Sequence, residues 1–308
     1  MILYVTRTVT DFGNDTLYDG LCRVLGHKNV LEYPTKDSLH GGKGKRYAQY
    51  PCFFDYPTIS DEEKIQMLVD GKFDAILIAC TAVRDFTREQ DGDKYDGFIK
   101  LLEGASRKTP TYLIDYGDLR GINKGLWERF NALLYFKREF TKGGKDVIPF
   151  NFSYSERYMA GIKTLRDNMF FWAGSFQHYR RKFLEVCVEH FGIDMAKNDL
   201  TQSEYREELL RSKIGLSLRG WGFDTVRFYE VPAHGALLLS QKPRIFINNN
   251  FEDGKNAVFF ETPEELDSKI KFLLDNPKEL ESIRLKGYNW FTKYHTSSVR
   301  AKQLLERI

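Results

Sequence analysis

The sequence predicts an α/β protein made of two successive doubly wound halves. Three observations predict it. Short apolar runs alternate with helix-like stretches along the whole chain. One run, DAILIAC (74–80), is almost continuously apolar, as a strand buried on both faces is. The alternation breaks at about 150–165, around NFSYSERY, and then begins again. A chain of 308 residues suits two domains better than one core.

The elements follow in order. ILYVT (2–6) reads as a first strand, followed by a helix to about Gly26 and a strand NVLEY (29–33). Ser60-Asp-Glu-Glu63 has capping-box spacing, and Ile65, Leu68 and Val69 give one helical face ahead of DAILIAC. TYLIDY (111–116), ALLYFKRE (132–139) and VIPFNF (147–152) read as further strands. In the second half, MFFWAGS (169–175) is a strand entering a turn, Tyr179 to Phe191 a helix, and IGLSLRG (214–220), ALLLS (236–240) and NAVFF (256–260) strands. Thr262-Pro-Glu-Glu265 is a second capping box with proline at the first helical position. Asn276-Pro277 opens a further helix that Gly287 is expected to close. A last helix carries Ala301, Leu304, Leu305 and Ile308 on one face.

Composition narrows the function. Hydrophobic residues make up 42% and charged residues 29%, which fits a folded soluble protein. The net charge of +3 is too weak to imply nucleic acid by itself, despite a local basic cluster at Lys43, Lys45 and Arg46. Cys22, Cys52, Cys80 and Cys187 are far apart, which points to free thiols in a reducing compartment. No apolar run approaches the roughly 20 residues that span a bilayer, and MILYV is a strand rather than a signal peptide. A cytoplasmic location is expected.

Several motifs fail. HGGKGKRY (40–47) has Leu39 where a phosphate loop needs its first glycine, and Arg46 where it needs Ser or Thr. GWG (220–222) is followed by Thr225 where a dinucleotide fingerprint needs glycine, which disfavours a dehydrogenase. The six histidines show no ligand spacing, so no metal site is expected. G-x-S-x-G is absent.

The stretch GWGFDTVRFYEVPAHGALLLS (220–240) is different. Asp224 or Thr225 can cap a short helix over 226–234, whose free N–H groups favour an anion such as phosphate. Arg227 stands in its first turn, able to grip a diphosphate in bidentate fashion. Glu230, three residues on, shares its face and can accept hydrogen bonds from a ribose diol. Spacing alone does not separate this reading from an ordinary surface Arg–Glu pair.

The wider sequence resembles the CgeB-like (spore-maturation-protein type) glycosyltransferases of the two-domain GT-B class. The residues that carry the resemblance are RFYEVPAHGALLL (227–239) within 212–243, the stretch NAVFFETPEELDSKI onward to Ile308, and FFWAGSFQHYRRKFLE (170–185). The first half matches only through LIDYGD (113–118) and YFKREF to VIPFNF (135–152). The resemblance implies a GT-B fold: two Rossmann-like doubly wound domains facing across a cleft, with a C-terminal helix crossing back to the first. The expected boundaries are an acceptor domain over 1–155, a donor domain over 156–290 and a crossover helix over 291–308.

It also implies transfer of a sugar from a nucleotide-diphosphate sugar to an acceptor hydroxyl, with no cofactor beyond the donor. Arg227 and Glu230 match the family's donor-binding pair, and Gly174 and Ser175 the turn that approaches the phosphates. Arg180, Arg181, Arg219 and Asp224 complete the expected donor set. Arginines and a helix N-terminus would then stabilise the leaving phosphate without a metal. Gly222 stands where many retaining members carry a second glutamate, so no stereochemistry follows. An inverting route needs a base; Asp115 is the first candidate because it ends an apolar strand, with Asp118, Asp85 and Asp15 behind it. The expected acceptors are a small molecule, a polysaccharide or a hydroxymethylated base in DNA, for which the basic loop and Tyr47, Tyr50, Phe53 and Phe54 would form a groove. A non-catalytic nucleotide-sugar-binding module and a sugar-nucleotide epimerase are the competing classes.

Overall fold

The computed structural model describes residues 1–40, 58–87, 92–142, 144–159, 162, 165–196 and 199–308. The basic cluster at Lys43, Lys45 and Arg46 and the aromatics Tyr47, Tyr50, Phe53 and Phe54 lie outside the described residues, as does Cys52. Cys22, Cys80 and Cys187 are buried free thiols.

The chain divides into two compact units: Met1–Ser155 with Ile245–Asn248 and Ser297–Ile308, and Glu156–Arg244 with Asn249–Thr296. The first contains β1 (Ile2–Val5), α1 (Phe12–Leu25), β2 (Val30–Tyr33), α2 (Asp61–Val69), β3 (Ala75–Ala79), α3 (Cys80–Phe86), α4 (Gly92–Ser106), β4 (Thr111–Asp115), α5 (Lys124–Arg129), β5 (Leu134–Lys137) and β6 (Val147–Pro149). Among the described residues its six strands run parallel in the order β2-β1-β3-β4-β5-β6. The order reverses between β1 and β3, which makes that point the switch where open α/β sheets bind ligands. Leu3, Val5, Ile76, Ile78 and Leu113 form the strand side of its core, against helix residues such as Val83, Phe98 and Leu102. The Ser60 capping box is complete, with both reciprocal bonds formed.

The second unit contains β7 (Asn168–Phe171), α6 (Arg181–Phe191), α7 (Gln202–Arg211), β8 (Ser212–Ser217), α8 (Val226–Ala233), β9 (Leu237–Gln241), β10 (Val258–Phe260), α9 (Pro263–Asp275) and α10 (Pro277–Tyr294). Among the described residues its four strands run parallel in sequence order. Phe170, Leu216, Leu237 and Val258 pack against Leu184, Leu266, Ile270 and Ile283.

Three local expectations need correction. Gly287 does not close α10, which runs on to Tyr294. A side chain at 287 would meet the Asn256 carbonyl oxygen at 2.6 Å, so this glycine serves a close approach rather than a stop. The Thr262 box is half formed: Thr262 accepts from the Glu265 N–H, but the Glu265 carboxylate accepts instead from the Glu261 N–H. Neither side chain proposed to cap α8 does so from the N-cap position. Thr225 occupies that position without a capping bond, because its hydroxyl shares a 3.0 Å hydrogen bond with Ser217.

The final helix, α11 (Ser297–Leu305), belongs to the first unit and packs on α1. Gly20 makes this contact, since a Cβ there would lie 2.1 Å from the Ser297 carbonyl oxygen. The Asp19 carboxylate beneath it accepts from the hydroxyls of Ser155 at 2.6 Å and Ser297 at 2.9 Å. Residues 245–248 join the same unit through Asn151, which donates to the Phe246 carbonyl and accepts from the Asn248 N–H.

Candidate functional site

The site is built at the carboxyl ends of β7 and β8. β7 delivers Trp172, Ala173 and Gly174; β8 delivers Arg219 and the turn at 220–225 that leads into α8. Trp172 is buried, with its Nε1–H donating to the Met195 carbonyl. Its ring carries two guanidinium groups, Arg227 at 4.8 Å and Arg180 at 5.5 Å from the centroid. The face of an indole is electron-rich, so it holds cations that would otherwise repel one another.

Each arginine is tied to backbone. Arg227 donates from Nε to the Ala173 carbonyl at 2.8 Å. Its guanidinium occupies the space where residue 174 would carry a Cβ, which would lie 2.2 Å from Nη2. Gly174 is therefore glycine because Arg227 passes over it. Arg180 donates from Nη1 to the Ser175 carbonyl and from Nε to the Arg219 carbonyl, joining the two strand ends. Arg219 stacks on Tyr179 at 4.8 Å and lies 5.6 Å from the Phe223 ring centroid. Among the described residues, no carboxylate pairs with Arg180, Arg219 or Arg227. Burial, together with the charges of Arg227 and Arg219, pushes the Arg180 guanidinium down to about 10. It stays protonated near neutrality, and the cluster is short of negative charge.

Glu230 lies one turn beyond Arg227 on α8 and is 6% exposed. The Tyr205 hydroxyl, from α7, donates to its Oε2 at 3.1 Å. Tyr205 packs edge-on against Phe171, and burial and the Glu230 charge raise its phenol well above its ordinary value. The C-terminal end of α8 is fixed by Arg166, which donates to the His234 carbonyl, and Arg284, which donates to the Gly235 carbonyl. Gly235 adopts φ +70°, in the left-handed region, and turns the chain from α8 into β9.

Thus Gly174, Ser175, Arg180, Arg219, Arg227 and Glu230 come together, and Asp224 is buried in the turn before α8. Arg181 does not join them. It pairs with Glu185 along the exposed face of α6, because residue 181 begins that helix one step past the buried Arg180. Trp172 and Tyr205 are not singled out by the sequence. The Thr201-Gln-Ser-Glu204 capping box could have located α7, but nothing in the sequence marks Tyr205 as the partner of Glu230.

The acidic candidates lie in the first unit. Asp115 ends β4, but its Oδ2 accepts from Tyr135 at 2.6 Å and Lys137 at 2.8 Å, and its Oδ1 from the Gly117 N–H at 2.8 Å. Three of the roughly four acceptor sites of this carboxylate are thus taken by structural donors. Asp118 is half exposed and pairs with Arg138. Asp85 pairs with Arg7 at 2.6 Å. Asp15, in the first turn of α1, is raised to about 6 by burial, while Lys36 beside it pulls the other way. A carboxyl group in that range can exchange a proton near neutral pH.

Among the described residues, no group of His, Cys, Asp and Glu has the arrangement to hold a metal ion, and no helix is long and apolar enough to cross a membrane. Residues 163–306 match the protein family described as glycosyl transferase-like. No curated protein matches the sequence. Three solved structures share the fold across nearly the full length. One is an alpha-glucosyltransferase in complex with UDP-glucose and DNA containing an abasic site, 14% identical, with a TM-score of 0.63 over 99% of this chain and 98% of that one. A glycosyltransferase from Rickettsia africae ESF-5 is 9% identical, with a TM-score of 0.61 over 99% and 97%. Anabaena Alr3699/HepE in complex with UDP-glucose is 10% identical, with a TM-score of 0.58 over 99% and 98%.

Proposed function

We propose that this chain, a glycosyltransferase of the GT-B class, moves a sugar from a UDP-sugar to an acceptor hydroxyl. The observation that carries the reading is the group Arg180, Arg219 and Arg227, which has no carboxylate partner among the described residues and is held on Trp172 and on backbone carbonyls. Such a group is matched by a ligand with at least two negative charges, and a nucleoside diphosphate is one. Glu230 then accepts from the ribose hydroxyls. UDP-glucose in two proteins of this fold supports uridine as the base. The run 227–239 further supports the CgeB-like branch.

In the reaction, the bond from the anomeric carbon to the β-phosphate oxygen breaks, and its electrons stay on UDP. The acceptor oxygen forms the new bond to that carbon, and its proton passes to the released UDP or to water. The developing charge on the β-phosphate falls on the arginines. These are fixed before the reaction, so they stabilise the transition state without reorganising. A hydroxyl on a modified DNA base is the second acceptor reading, favoured by the DNA in one protein of the same fold; DNA binding that weakens steeply with salt would support it.

The test is thermal denaturation with UDP and UDP-glucose, followed by calorimetry on Arg227→Ala and Glu230→Ala. A ligand bound by the folded state alone raises the melting temperature. The reading expects a rise for the wild type and loss of UDP affinity in both variants. No rise with any nucleoside diphosphate, or unchanged affinity in both variants, overturns it.

A further inference from the structure

Two aromatic side chains stand in the open beside the arginines. Trp221 is 81% exposed and Phe176 43% exposed. Both occupy turns that Arg180 ties down. Arg180 grips the carbonyl of Ser175, the residue before Phe176, and the carbonyl of Arg219, two residues before Trp221. Trp221 is the middle residue of a Gly-Trp-Gly turn that closes on itself, with the Gly220 N–H donating to the Gly222 carbonyl at 2.9 Å. The residue at the middle of this closed turn is the exposed Trp221. A Cβ built at Gly220 would lie 3.7 Å from Arg180 Nη2, so the base of this turn abuts the charged cluster.

The direction of the ligand follows from the donor reading, on which this inference rests. Glu230 takes the ribose one turn along α8, and Arg227 and Arg180 take the diphosphate. The nucleoside then lies toward the C-terminal turns of α8, and the sugar extends past the diphosphate the other way. The chain on that side is the 220–225 turn. A pyranose ring offers a face of C–H bonds, apolar and slightly positive. An indole offers a broad face that is slightly negative.

We propose that Trp221 is the stacking face for the transferred sugar ring of the donor, with Phe176 adding apolar surface on the neighbouring turn. The contact is made by the hexose and not by the uracil. UDP, which lacks the sugar, therefore does not engage it.

The test compares UDP with UDP-glucose by calorimetry on the wild type, Trp221→Ala, Trp221→Phe and Phe176→Ala. Trp221→Ala is expected to bind UDP-glucose roughly fivefold more weakly, the effect of one ring contact, and to bind UDP as the wild type does. Trp221→Phe, which keeps an aromatic face, recovers most of the loss, and Phe176→Ala gives a smaller one. Equal weakening of both ligands overturns the inference, because the indole would then serve the nucleoside or the fold. Unchanged affinity for UDP-glucose in Trp221→Ala overturns it too. Failure of the wild type to bind UDP overturns the donor reading itself, an outcome the first two do not share.

Discussion

The Tyr205 hydroxyl donates to Glu230 Oε2 at 3.1 Å, so the carboxylate assigned to the ribose is oriented from a different helix. A hydrogen bond to a buried charged group is worth about 1.5–3 kcal/mol. Tyr205→Phe is expected to fold normally and to bind UDP roughly tenfold more weakly. A UDP lacking both ribose hydroxyls should bind the two proteins alike. Calorimetry with both nucleotides checks this; equal weakening of both would show that Tyr205 acts through its packing or through Arg227, with which it is also hydrogen-bonded, and not through Glu230.

Gly174→Ala tests the passage of Arg227 over β7. The added methyl group would lie 2.2 Å from Nη2, and the end of a long side chain gives way at little cost. The melting temperature should hardly move, while UDP affinity falls about tenfold through loss of a charge-assisted contact. Retained affinity in a folded variant would show that Arg227 does not grip the nucleotide.

Asp115→Asn separates structure from chemistry. Lys137 is buried against this carboxylate, and breaking such a pair leaves an uncompensated charge. The variant is expected to lose about 3 kcal/mol of stability in urea denaturation. Intact stability with turnover reduced a hundredfold would restore Asp115 as the catalytic base.

His234 gives the protein an acid-sensitive point. Its Nδ1–H donates to the Glu230 carbonyl at 2.9 Å, and burial pushes the imidazole down to about 4 from an ordinary 6.5. The folded state thus binds fewer protons than the unfolded chain between those values. Stability is lost as pH falls through that window, by roughly 1.4 kcal/mol per unit at most. Urea midpoints at pH 7, 5.5 and 4.5 should show the slope in the wild type and a shallower one in His234→Gln. Parallel slopes would assign the acid sensitivity to other groups.

Patterning made the strands and most helices legible, because period and apolar run length depend on neighbours in sequence. Arg227 and Glu230 stood out for the same reason: one helical turn is a local distance. Gly287 misled because a glycine required by a distant carbonyl looks, in sequence, like one that ends a helix. Asp115 shows the same limit, since a strand-end aspartate reads the same in sequence whether it faces a substrate or Lys137. Trp172 and Tyr205 act on partners 55 and 25 residues away, Arg227 and Glu230, and no spacing rule spans such intervals.

The Asp19 carboxylate, holding Ser155 and Ser297 at once, has a consequence for synthesis. A ribosome delivers α1 before the second unit and α11 after it. Until Ser297 emerges, Gly20 faces no partner, and Asp19 lacks one of its donors. The unit made first is therefore the one finished last, and the second unit is translated while the first still waits. A fragment stopping at Ser155 would carry β1 to β6 and still lack the helix that closes over α1.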